Sequence, residues 1–298
     1  MKKILLISIS LLIFSMIYGQ QIVPYSQYME NKYALNPAVA GSLPYNPIAM
    51  SYKRLWSGID DAPSFQMINS HLSISDRVGI GGKIFNITYG QYSKMGLEAT
   101  YAYHIPIGAS GDKLSIGLSG ILYQYALDKS ALNLEDPDDE AIIFGSEKLI
   151  VPDANFGVYY YGSNYYGGIA VQQLLGRKVN LMNEDYLEQR QVRHYFLHGG
   201  YIYDVNANFS LEPSLLVKAI EAGIFQVDIN VKGTYKQLVW LGVSYRTQEA
   251  VAIMMGFRKD RILFGYAYDI AISDIRKYNV GTHEILFMFK FNRSKPKL

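Results

Sequence analysis

The chain has 298 residues, is rich in Tyr (26), Gly (26) and Phe (13), and carries 18% charged residues with a formal net charge of +2. So even a balance supplies no basic field for nucleic acid, and the absence of cysteine excludes disulfides and a lipid-bearing N-terminal Cys. The length allows two small domains or one large all-β unit, and a strongly aromatic, weakly charged composition favours strands.

The first element is a leader. Lys2 and Lys3 precede an apolar run over 4–17, which ends near Gly19 and the pair Gln20-Gln21. This is the pattern of a cleaved signal peptide over 1–19, and the run falls short of the roughly 20 residues a membrane-spanning helix needs. Residues 20–47 follow and suit neither strand nor helix. Pro24, Pro37, Pro44 and Pro47 prevent a ladder, while Asn36-Pro37 and Ala40-Gly41 are turn signals.

From 48 to 298 the pattern changes to alternation with a period of two residues. Strands are expected near 48–56, 64–74, 77–88, 94–105, 113–126, 153–162, 165–173, 191–204, 208–220, 223–233, 236–246, 250–258, 261–271 and 282–291. In one of them Phe225, Val227, Ile229 and Val231 share a face against Gln226, Asp228, Asn230 and Lys232. In the last, Ile285, Phe287, Phe289 and Phe291 oppose Glu284, Met288 and Lys290. Strands of this length, in a number near 14, with one oily and one wet face, predict an all-β transmembrane antiparallel barrel. A sheet in hydrocarbon must close on itself, because an unpaired backbone group there costs several kcal/mol.

The connections support that reading. With both ends of the chain in the periplasm, the long connections after Trp56, Leu127, Leu174 and Ser273 all fall on the outer side, and the tight turns at Ser75-Asp76, Ser163-Asn164 and Lys259-Asp260 fall on the inner side; the short outer loops after the ninth and eleventh strands break the trend. Lys218, Lys232 and Arg246 should then face the lumen, since a basic side chain in lipid near the midplane costs about 2–4 kcal/mol. A barrel of about 14 strands is too wide for side chains alone to fill, so its lumen is wet or plugged. Residues 20–47 are candidates for a plug or a periplasmic docking segment. A soluble exported β-sandwich is the competing fold.

No catalytic or metal site and no cofactor is expected. His194 and His198 share a strand face about 13 Å apart, too far to bind one metal together and better suited to polar lumen contacts. The acidic stretch 135–140 lacks the ligand spacing of a calcium loop and reads as a solvated outer loop, as does Asp60-Asp61. No G-x-S-x-G elbow occurs.

The run Tyr25-Ser26-Gln27-Tyr28-Met29, followed by Asn31, Asn36-Pro37-Ala38 and Ala40-Gly41, resembles the N-terminal signature of the PorP/SprF family of type IX secretion membrane proteins. The likeness continues through residues 52–58 with Ala62-Pro63, and through 101–105 and 114–118. The chain departs from the family pattern at Lys53, Leu55 and Asp61, where Arg, Gln and Gly are common. The resemblance implies an outer-membrane barrel of a Gram-negative bacterium that supports secretion or surface display of proteins with C-terminal sorting domains. The partners it implies are periplasmic ring components, a surface adhesin or other cargo, in some members serving gliding, and outer-membrane lipid. Tyr25, Gln27, Tyr28, Asn31, Asn36 and Pro37 are the candidate plug or partner-binding residues, because Tyr and Asn combine packing or tight turns with hydrogen bonding. The alternative function is a fatty-acid-transporter-like barrel that takes up a hydrophobic small molecule; a membrane enzyme is a third reading.

Overall fold

The computed structural model describes residues 25–109, 111–129, 148–179, 181, 190–221, 223 and 225–292. The leader and the acidic stretch 135–140 lie outside the described residues. After an irregular stretch the chain forms β1 (Tyr45–Arg54), β2 (Ser64–Ser73), β3 (Val78–Tyr89), β4 (Tyr92–Ile107), β5 (Asp112–Leu127), β6 (Lys148–Tyr161) and β7 (Tyr165–Gln172). There follow β8 (His194–Tyr201), β9 (Tyr203–Asn206), β10 (Phe209–Ile220), β11 (Phe225–Tyr235), β12 (Val239–Arg246), β13 (Ala250–Lys259), β14 (Ile262–Ala271) and β15 (Thr282–Asn292).

Each strand pairs antiparallel with its sequence neighbour, and β15 returns to β1 from Tyr45↔Asn292 to Arg54↔His283, so the sheet has no edge. β8 and β9 are two pieces of one spanning strand, both paired to β10, which makes this a closed barrel of 14 strands. The break at Ile202 lies opposite Glu212-Pro213, between the pairs Ser214↔Gly200 and Leu211↔Tyr203. Pro213, opposite Tyr201 in this register, has no N–H to offer on that side, so the ladder to β10 lapses there, while on the β7 side Ile202 N–H still donates to Asn164 O at 2.6 Å.

The other strand prolines obey the same rule. Pro47 lies below the β1–β2 pairing, Pro106 beyond the β3–β4 pairing, and Pro152 on the part of β6 that β7 does not reach. Pro152 thereby accounts for a difference from expectation. β6 starts at Lys148 rather than near 153, because its outer end pairs with β5 from Ala126↔Lys148 on and leaves its other side free of β7. The first strand likewise starts at Tyr45, three residues earlier than expected, since Pro47 needs only one partner strand.

Side chains sort by face. Ile229, Val231, Leu241, Val243, Ile253 and Met255 are exposed on the outer wall, while Asp228, Asn230, Lys232, Ser244 and Arg246 are buried inside. Exposed tyrosines mark both rims of the apolar band: Tyr52, Tyr195 and Tyr245 at the end where β1 runs into β2, and Tyr160, Tyr165, Tyr201, Tyr203 and Tyr235 at the end where β2 runs into β3. The lipid-facing reading of this wall is checked by substitution. Val243→Arg is expected to lower folding stability in vesicles by about 2–4 kcal/mol in reversible urea unfolding, with Val243→Leu near neutral.

Candidate functional site

The site is the lumen, filled by residues 25–41. Two short 3-10 helices, Lys32–Ala34 and Pro37–Val39, give the segment its shape. Asn36 caps the second, its Oδ1 accepting from Ala38 N–H at 2.9 Å, and Pro37 starts it, where a missing N–H costs nothing. Asn31 supplies its backbone carbonyl to Ala34 N–H at 3.2 Å and so opens the first.

At the outer end of the lumen Ser26 is the junction. Its N–H donates to Glu284 at 2.8 Å and its hydroxyl to Asp269 at 2.7 Å, while Lys53 Nζ donates back to Ser26 Oγ at 2.9 Å. Lys53 also pairs with Asp269 at 2.9 Å and Glu284 at 3.2 Å, and Arg246 joins Asp228 at 3.1 Å and Asp269 at 3.4 Å. Lys53 is 1% exposed and Arg246 2%. Such charges persist away from water only when paired and hydrogen-bonded, as these are. Gln27 N–H adds a second bond to Glu284 at 3.1 Å, and Tyr25 stacks edge-on against Phe65, ring centroids 4.9 Å apart.

The middle of the lumen adds neutral polar contacts to a buried Lys83–Glu98 pair at 2.9 Å. Tyr28 OH donates to Ser214 at 3.3 Å and accepts from Asn230 at 2.7 Å. Tyr33 OH meets Thr100 at 2.7 Å. Asn36 Nδ2 reaches the wall itself, donating to Val158 O at 3.0 Å, Ile169 O at 3.2 Å and His198 Nε2 at 3.1 Å. That approach needs bare backbone beneath it. Gly157 lies under Asn36 and Pro37, and a Cβ on Gly117 would meet the backbone of Pro37 and Ala38.

At the opposite end of the lumen another charged group closes the site. Glu30 pairs with Lys232 and with Arg258, each at 2.6 Å, and Glu212 bridges to Lys232 at 2.5 Å and Lys32 at 3.8 Å. Burial opposes the charge on Glu30, and Lys232 and Arg258 overcome it, holding the carboxyl well below the usual carboxylate range. His104 Nε2 donates to Ala40 O at 2.9 Å, and Gly41 N–H donates to His71 Nδ1 at 3.1 Å, where the chain turns into β1.

All six residues singled out in the sequence are buried together in this segment. Sequence reasoning passed over Ser26, Glu30, Tyr33 and, on the wall, Lys53, Asp269 and Glu284. The available signal was their parity: Asp269 and Glu284 fall on the polar face of strands whose other face is oily.

A closed antiparallel barrel with an apolar belt, tyrosine rims and a charged interior defines an outer-membrane β-barrel. The chain belongs to the type IX secretion system membrane protein PorP/SprF family, whose model matches residues 17–289. No protein of curated function matches the chain. Among solved structures, the Pseudomonas putida toluene transporter TodX is 9% identical with a TM-score of 0.50, over 92% of this chain and 95% of that one. The Acinetobacter baumannii outer membrane protein Omp33 is 6% identical (TM-score 0.49; 83% and 98% covered), and a Pseudomonas aeruginosa FadL homologue is 10% identical (TM-score 0.46; 88% and 94% covered). At such identity the likeness to TodX is one of barrel fold. Family and fold are those of a secretion or transport membrane component.

Proposed function

We propose that this barrel is a non-enzymatic component of type IX secretion that supports secretion or surface display of proteins with C-terminal sorting domains, a gliding adhesin being one such cargo class. The observation that carries the reading is that the family-bearing segment is the same one that fills the lumen. Tyr25, Gln27, Tyr28, Asn31, Asn36 and Pro37 serve to order that segment as a plug. With the lumen filled, cargo and periplasmic ring components meet the barrel at its two ends rather than within it.

The placement of Ser26 supports removal of the leader. Ser26 lies beside Lys53, eight residues up β1 from Tyr45, or roughly 20 Å along the axis for a tilted strand. A leader still anchored in the inner membrane could not reach that depth while the barrel sits in the outer one.

The test is co-purification from gently solubilised outer membranes. Periplasmic ring proteins and a surface adhesin or other sorting-domain cargo should accompany the tagged barrel. Recovery without any of them, together with saturable uptake of a hydrophobic solute by the purified barrel in liposomes, would replace this reading with the transporter one.

A further inference from the structure

The charges on the periplasmic rim are unevenly distributed. Around the turns of β2–β3, β4–β5 and the end of β9, Arg77 and Lys113 are offset by Asp76, Asp112 and Asp204. Along the arc from the β11–β12 turn to the β13–β14 turn, Lys236, Lys259 and Arg261 stand with Asp260 as the one acidic residue in the turns they occupy. The two turns are joined through the backbone: Arg258 N–H donates to Leu238 O at 2.6 Å, beside Lys236 and Lys259. Arg258 turns inward to Glu30 and Lys290 lies on the inward face over the Tyr45 ring at 4.9 Å, whereas none of the three rim cations makes an ion pair among the described residues.

Beneath the cations the lipid-facing wall is aromatic. Tyr235, Phe257 and Phe291 are exposed there, Phe257 stacks on Phe264 at 5.7 Å, and Lys236 Nζ lies 5.4 Å from the centroid of the Tyr235 ring. Aromatic side chains mark the level of the lipid headgroups. Ammonium and guanidinium groups without a carboxylate partner at that level face phosphate, which Lys meets as a point charge and Arg as a two-pronged donor.

We propose that this arc is a binding site for the phosphate headgroup of an anionic phospholipid of the periplasmic leaflet, with its acyl chains against the phenylalanine wall. Lys236 lies by the lipid-facing Tyr235 ring and Lys259 follows the exposed Phe257 on the outward parity of β13, at the level of the membrane surface, and this favours a lipid over an acidic periplasmic protein.

The test compares the full-length barrel with a Lys236→Gln/Lys259→Gln/Arg261→Gln variant and with an Arg77→Gln/Lys113→Gln control. Bound lipid is counted by native mass spectrometry after exchange into phosphatidylcholine vesicles with and without phosphatidylglycerol. Heat-modifiable mobility verifies that each barrel is folded. Phosphatidylglycerol should be retained by the wild type and the control and bound at least about tenfold more weakly by the threefold variant, each cation near an anionic surface being worth roughly a factor of five. Equal retention by the threefold variant overturns the site, and so does an equal loss in the control. Unchanged lipid binding with loss of an acidic periplasmic protein from the purified complex would assign the arc to that protein instead.

Discussion

Removal of residues 25–41 is expected to leave a folded but open barrel. The wall keeps its hydrogen-bonded circumference, closed by β1 and β15. It also keeps most of its charge balance, because Lys53 retains Asp269 and Glu284, Lys232 retains Glu212, and Arg246 retains Asp228. Arg258 loses Glu30, yet water entering the emptied lumen hydrates it. Liposome swelling should therefore report entry of small sugars at least about tenfold faster than with the intact barrel, since a 14-strand wall without its plug encloses an aqueous channel. In cells the same deletion should abolish export of the cognate surface protein. A folded deletion barrel that stays impermeable would mean that something other than this segment seals the lumen, and normal export would remove the segment from the secretion role.

Much of the barrel is legible in the sequence because a strand in a membrane has two unlike solvents. Ile229 and Val231 have to meet lipid and Asn230 and Lys232 have to meet the interior, so parity alone assigns their faces. Where parity has competition, the boundaries shift. Pro152 reads as a loop residue, and its place in β6 follows only once it is known that β7 pairs no further up than Phe156. The break at Ile202 is invisible for the same reason, since its cause, Pro213, lies on the neighbouring strand. That residues 25–41 form no strand was legible, because Pro37 and the turn signals there exclude a ladder. The partners of this segment were not, because the contacts of Ser26 span more than 240 residues of sequence to Asp269 and Glu284. The inward-facing glycines at 117 and 157 look like strand weaknesses until the segment they accommodate is in place.

Lys53→Met should give the largest stability loss of any single change at the plug. Lys53 is the cation that reaches both Asp269 and Glu284, and it donates to Ser26 as well. Arg246 remains 3.4 Å from Asp269, so that carboxylate keeps a partner, but among the described residues Glu284 is then left with only the N–H groups of Ser26 and Gln27. Breaking a buried pair by removing one member typically costs about 3–5 kcal/mol. The variant should lose its compact, heat-resistant mobility on gels at clearly lower temperature than the wild type and admit sugars into liposomes as the plug loosens. Adding Glu284→Gln removes the stranded charge and should recover part of the loss, which a simple packing defect at position 53 would not allow. An unchanged unfolding temperature, or a double variant no better than the single one, would show that the plug is held by its polar and apolar contacts and not by this charge.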